Sequence, residues 1–259
     1  MGTILLFNDD SIEAVNATEF ALSIAIEVQA DLLILNLCKR RSKQEAISIR
    51  TEKPDQKTVN GTSKTKILHI DASEFTEKDI CELVIAKKIW LMVKGIEQKV
   101  THDILTGIDV QSVLNHVACP LLLIPDSYKK RTFENITYAV DMRYCRAAVL
   151  KFLTDLAGIY DANLMVEHFS AKGLPHLSDS FARDLFEQEI MKKIKHEKVY
   201  FNNFKERNLD IAVDVMINDL HADLLALVNH RYHFSELFGN TIKNVLPDHI
   251  AVPVIIFPM

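Results

Sequence analysis

The apolar residues of this chain gather in short unbroken runs rather than alternating with polar ones. ILLF (4–7), LLILNL (32–37), IWLMV (89–93) and LLLIP (121–125) are examples, each flanked by polar stretches. A strand apolar at every position has no solvent face, so such runs predict a parallel sheet covered on both sides. Between the runs the apolar positions change period. Ala17, Ala21 and Ile24, and later Val149, Leu153 and Leu156, recur at i, i+4 and i+7, the stripe of a helix packed on a sheet. Strands alternating with helices predict right-handed crossovers and a doubly wound α/β fold.

The pattern occurs twice. ILLFND (4–9) matches ITYAVD (136–141), and ADLLILNL (30–37) matches ANLMVEHF (162–169). Asp9 and Asp141, Ala30 and Ala162, and Gly107 and Gly239 each stand 132 residues apart, and the closing runs CPLLLIP and VPVIIFP 133 apart. A period this long implies two whole domains rather than a solenoid. We therefore expect two five-stranded parallel-sheet sandwiches in tandem, residues 1–126 and 134–259, joined by the polar stretch DSYKKRTFE (126–134). Each half should run strand, helix, strand, a variable segment, a third strand (66–70; 198–204), a helix (about 77–86; about 207–219), a fourth strand, and a last helix carrying SVL or NVL before the closing strand. The halves differ most after their second strand. Residues 39–65 hold eight Lys or Arg against three acids, read either as an anion-binding arm or as a solvated loop. The second half instead offers a helical stretch at about 178–196, with Phe186, Ile190 and Ile194 facing the sheet.

Composition narrows the functional classes. With 259 residues, 48% hydrophobic and 25% charged, the chain has the balance of a globular protein with a full core. A net charge of −5 argues against nucleic acid as the main partner. No run approaches the roughly 20 apolar residues that span a bilayer, and the first residues, MGTILLFNDD, show neither a basic n-region nor a cleavage site. Cys38, Cys81, Cys119 and Cys145 are scattered singly, and no HExxH or Cys/His spacing appears, so no metal site is expected. Scattered thiols fit a reducing cytoplasm.

In a doubly wound sheet the ligand edge lies beyond the carboxyl ends of the strands, at the switch in strand order. Asp9, Asp141 and the loops after Val93 and Val228 fall there. An aspartate in that place either touches a ligand or caps the following helix through a backbone N–H. No histidine is placed beside Asp9, Asp10 and Ser11 to form a relay, and no Walker loop or GxGxxG is present, so no catalytic residue is assigned.

The strand-end aspartate, the five-strand order and the closing VL…CPLLLIP, all occurring in both halves, resemble the universal stress protein family in its tandem form, over nearly the whole chain. The resemblance implies the adenine nucleotide alpha hydrolase-like fold. It also implies ATP or another adenine nucleotide as cofactor, the aspartate on the adenine or ribose side, and a Gly-x-x-Gly, nine residues, Gly-Ser/Thr loop around the phosphates. Such glycines let backbone N–H groups approach an anion at a helix N-terminus. In the first half Lys94 and Glu97 stand where the two glycines belong, Gly107 remains, and Ile108 replaces the hydroxyl residue, which reads as a degenerate site with Asp9. In the second half Asn229 takes the first glycine position, the loop is about three residues short, and Gly239, Asn240 and Thr241 follow. Asp141, His230, Arg231 and His233 could add contacts to an anion there. The function expected is that of a non-enzymatic, cytoplasmic stress-response protein with degenerate nucleotide loops. The alternative is an adenine-nucleotide switch or slow ATPase using the second site. The halves are expected to pair with each other through CPLLLIP and VPVIIFP; a homodimer stays open, and neither nucleic acid nor membrane is expected as a partner.

Overall fold

A computed structural model of the chain describes residues 2–38, 65–97, 108–205, 208–229, 231–239, 242 and 246–259. Strands run Thr3–Asn8 (β1), Asp31–Asn36 (β2), Ile67–Asp71 (β3), Ile89–Ile96 (β4), Leu121–Pro125 (β5), Asn135–Val140 (β6), Asn163–Phe169 (β7), Val199–Phe204 (β8), Leu224–Val228 (β9) and Val254–Phe257 (β10). Helices run Ile12–Glu27 (α1), Glu77–Ala86 (α2), Val110–His116 (α3), Ala147–Tyr160 (α4), Asp179–Leu185 (α5), Leu209–Asn218 (α6) and Tyr232–Phe238 (α7). Most of the basic stretch 39–65 lies outside the described residues.

The strands form one ten-stranded sheet in the order β3-β2-β1-β4-β5-β10-β9-β6-β7-β8. The second five strands repeat the order of the first five, run in reverse. Every neighbouring pair is parallel except β5 and β10, which meet antiparallel with Leu122 opposite Ile255. The five-stranded sheets of the two halves join through these closing strands into one continuous sheet. The apolar runs explain why: β5, β9 and β10 are buried at every position, so neither closing strand has a solvent face to offer. Each face of the sheet carries one apolar layer that crosses the seam. One layer joins Phe20 and Leu122 to Leu153 and Ile255; the other joins Ile80 and Leu121 to Leu225 and Ile256.

Local signals set the helices. The Ser11 hydroxyl caps α1 by accepting from the Ala14 N–H at 3.1 Å. A capping box of Thr76 and Asp79 starts α2. Small residues let α1 lie close on β4, where a Cβ on Gly95 would clash with the Glu13 carbonyl and fall within 2.9 Å of the Ala14 nitrogen. The stretch from 178 is helical as expected but loosens after α5 into a π turn at Phe186–Ile190 and a 3-10 turn at Met191–Lys193. Its stripe of Phe186, Ile190 and Ile194 is buried, with Phe186 stacked on Phe201 at 4.9 Å.

The segment between the halves is a packed strap rather than a loose joint. The Asn16 side-chain amide donates to the carbonyls of Pro125 (2.9 Å) and Tyr128 (3.0 Å). Arg131 reaches Asn16 and Glu19 at 2.9 and 2.8 Å, and Tyr128 packs 6.0 Å from Phe20. Toward the second half, Asp223 accepts from the backbone of Glu134 and Asn135 and pairs with Lys130 at 2.9 Å.

A carboxylate with an unsatisfied oxygen sits inside this core. Glu167 of β7 is fully buried; Oε1 accepts from Asn202 at 2.9 Å, while Oε2 has no partner. Burial pushes its pKa up to about 7, against the Asn202 hydrogen bond. An acid whose folded pKa lies above its unfolded one stabilises the fold at low pH and loses that contribution as pH rises through the folded value. Glu167→Gln is expected to raise stability by about 1–2 kcal/mol at pH 8 and to change little at pH 5, since glutamine keeps the acceptor without the buried charge. Thermal melts at the two pH values measure the difference.

Candidate functional site

The ligand edge of the second half lies beyond β6 and β9, neighbours at the switch in strand order. Asp141 follows β6 directly and is 3% exposed. Its carboxylate accepts from the Arg143 backbone N–H (3.1 Å), from Arg143 Nε (2.8 Å) and Nη2 (2.6 Å), and from the Ala171 N–H (2.9 Å). Burial works against the charge, but Arg143 and the backbone donors outweigh it and hold the carboxyl below its ordinary range. Asp141 thus caps a 3-10 turn at Met142–Tyr144 and ties the ends of β6 and β7 together. Its acceptor positions are taken by the protein itself.

Between the ends of β6 and β9 the edge is filled by side chains, and a cavity of about 630 Å³ opens farther along it, between the residues after β7, the start of α6 and Glu236 of α7. Residues 232–238, readable either as a polar loop or as a helix anchored by Phe234, Leu237 and Phe238, form α7 and bring Tyr232 and His233 over the end of β6. The Arg231 guanidinium lies over the Tyr144 ring at 5.1 Å, and Tyr144 and Tyr232 sit 6.1 Å apart. Between Asp141, Tyr144, Val228, Arg231, Tyr232 and His233 a cavity of about 20 Å³ remains. That holds about one water, whereas sites for drug-sized ligands measure about 300 Å³ or more.

The other second-half positions divide. Asn229 is 1% exposed and turns away from the cavity toward the first half. Its Oδ1 accepts from Gln111 at 2.8 Å and its Nδ2 donates to Asn115 Oδ1 at 2.8 Å, both residues of α3. Gly239 ends α7 with φ of +72°, a conformation that strains any side chain. His230, Asn240 and Thr241 lie outside the described residues.

Buried imidazoles line the same edge. His233 Nε2 donates to the Phe169 carbonyl at 3.2 Å, leaving Nδ1 without a partner; burial pulls its pKa down to about 4. His168, fully buried, takes the Met142 N–H on Nδ1 at 3.2 Å, and Nε2 has no partner; burial lowers its pKa as well. The Arg231 Nε is also unpartnered.

In the first half Asp9 accepts from the Ser11 N–H at 3.2 Å, a turn that leads into the Ser11 cap. Lys94 is 6% exposed near the end of β4; burial lowers its pKa, opposed by the charges of Asp9 and Asp109. The carbonyl of Glu97 accepts from the Leu246 N–H of the second half at 3.1 Å. Gly107 lies outside the described residues. Among the described residues no group of three or more His, Cys, Asp or Glu is arranged to hold a metal, and no helix is long and apolar enough to cross a membrane.

No family model and no curated protein matches the chain. Solved structures do. A functionally unknown protein from Pseudomonas aeruginosa aligns over 98% of this chain and 92% of its own, with a TM-score of 0.57 and 21% identity. A universal stress protein from Archaeoglobus fulgidus aligns over 98% of this chain and 95% of its own, with a TM-score of 0.57 and 13% identity. The chain therefore has the fold seen in universal stress proteins.

Proposed function

We propose that this chain is a tandem universal stress-type protein that acts by binding rather than by catalysis, and that neither half holds an adenine nucleotide in the usual pose of that family. Two halves of 1–126 and 134–259, arisen by duplication, account for the sheet order and its reversal, and the β5–β10 pairing for an intramolecular pseudo-dimer. A stress-response role in the cytoplasm follows from the same likeness. One observation carries the reading: between the ends of β6 and β9, Tyr144, Arg231, Tyr232 and His233 leave about 20 Å³ beside Asp141, and the cavity of about 630 Å³ farther along the edge, beyond β7, is lined by Lys172, Asp210 and Glu236 and not by Asp141. Asp141 spends its carboxylate on Arg143 and Ala171, and Asn229 spends its amide on α3.

A second reading has one specific support. The unpartnered Arg231 Nε and His233 Nδ1 face the same edge, so an outward swing of the two tyrosines would offer an anion a cationic donor. In that form the protein is a nucleotide-gated switch or slow ATPase. Thermal melting separates the two. A ligand that binds only the folded state raises the midpoint, and we expect ATP with magnesium at about 5 mM to move it by less than about 1 °C. A shift of several degrees that disappears in Arg231→Ala would establish the second reading instead.

A further inference from the structure

The two halves differ in how one matching surface is covered. In the first half, Asn16 and Phe20 of α1 carry the strap that follows β5; Asn16 is 6% and Phe20 0% exposed. The residues 132 positions on are Ala148 and Phe152 of α4, and there Ala148 is exposed and Phe152 only half-buried. Beside them opens a groove of about 660 Å³ between α4, the ends of β9 and β10, and the α3–β5 connection of the first half. Its apolar wall includes Val149, Phe152, Phe257 and Pro258; Arg146 and His116 stand at its polar side. No described segment lies in it as the strap lies on α1.

We infer that this groove is a docking site for an extended segment of a partner protein, one that presents an aromatic side chain followed three residues later by a carboxylate. The strap supplies the template. Tyr128 packs toward Phe20, and Arg131, three residues on, pairs with Glu19 at 2.8 Å and lies 5.5 Å over the same ring. An incoming aromatic residue has the matching surface in Phe152, which lines the groove and whose ring stacks on Trp90 at 4.7 Å. The charge at the third position is reversed. Glu19 is matched by Lys151, which is 72% exposed and pairs only distantly with Asp155 at 3.9 Å. Arg146 adds a second cation where α1 has the buried Ala14. A basic strap would be repelled here, and an acidic one drawn in. The inference rests on the proposed matching of the two halves, but not on whether either half takes a nucleotide.

The probe is a fluorescein-labelled peptide of residues 125–133 carrying Arg131→Glu, titrated with the full chain and compared with the peptide of native sequence. The acidic peptide is expected to bind about tenfold tighter. Lys151→Glu in the protein should reverse the order, and Ala148→Trp, which fills the exposed position, should abolish binding of both while leaving the melting temperature within about 2 °C. Absence of binding at about 1 mM, an order that Lys151→Glu fails to reverse, or binding that survives Ala148→Trp would overturn the inference. So would a dimer in sedimentation at about 100 μM that Ala148→Trp dissolves, since the occupant would then be a second copy of this chain. Failure of the peptide would leave the sheet order and the nucleotide result untouched.

Discussion

Gly95→Ala is expected to cost about 3 kcal/mol or more of stability. The added Cβ would clash with the Glu13 carbonyl and press on the Ala14 nitrogen. These are main-chain atoms, so no rotamer change relieves the clash; α1 would have to lift from β4. Lifting is expensive because Ala17, Phe20, Ala21 and Ile24 are wholly buried beneath that helix. It would also pull Asn16 from the carbonyls of Pro125 and Tyr128, loosening the strap. Urea unfolding at equilibrium measures the loss. Gly158→Ala serves as the control: a Cβ there meets nothing within 4 Å inside α4, and the change should stabilise by about 0.5–1 kcal/mol. A loss below about 1 kcal/mol at Gly95 would mean that α1 and β4 are less closely seated than described.

Asp141→Ala is expected to cost about 3–4 kcal/mol, because it strands a buried N–H at Ala171 and a guanidinium that had two bonds to the carboxylate. Asp9→Ala, at the matching strand end, should cost less than about 1 kcal/mol, since Asp9 keeps one side-chain bond, to the Ser11 N–H. The contrast tests whether the strand-end aspartate is structural, because a ligand-contacting residue would leave stability of the free protein nearly unchanged when removed. Acid titration adds a sign. The folded Asp141 pKa lies below its ordinary value, so its contribution is full above the usual carboxylate range and fades as pH falls through the folded pKa. The gap between the native chain and Asp141→Ala should therefore narrow on acidification.

The architecture is largely legible in the sequence because it depends on local quantities. Apolar runs marked the inner strands, while the edge strands β3 (ILHID) and β8 (VYFNNF) mix in polar positions and are mostly exposed or half-buried; the 132-residue spacing ran parallel to the reversal of strand order about β5 and β10. The candidate site is less legible, since its state depends on where side chains from distant segments come to rest. The position of Asp141 could be read, but not that Arg143, two residues on, would fold back on it. Gln111 and Asn229 are 118 residues apart, and nothing local marks them as partners. The α7 segment reads as polar because Arg231, Tyr232 and His233 precede its apolar face; Phe234, Leu237 and Phe238, spaced three and four apart and buried, were the available signal for a helix. Tyr144 and Tyr232 carry no motif, yet they close the space beside Asp141 between β6 and β9.

The antiparallel meeting of β5 and β10 has a kinetic consequence. Two separate half-chains with such closing strands would have to find each other by collision, so their stability would fall on dilution. Here the strap holds the two strands at a fixed effective concentration, which makes their encounter a first-order step. The joined form keeps its seam however scarce the protein becomes.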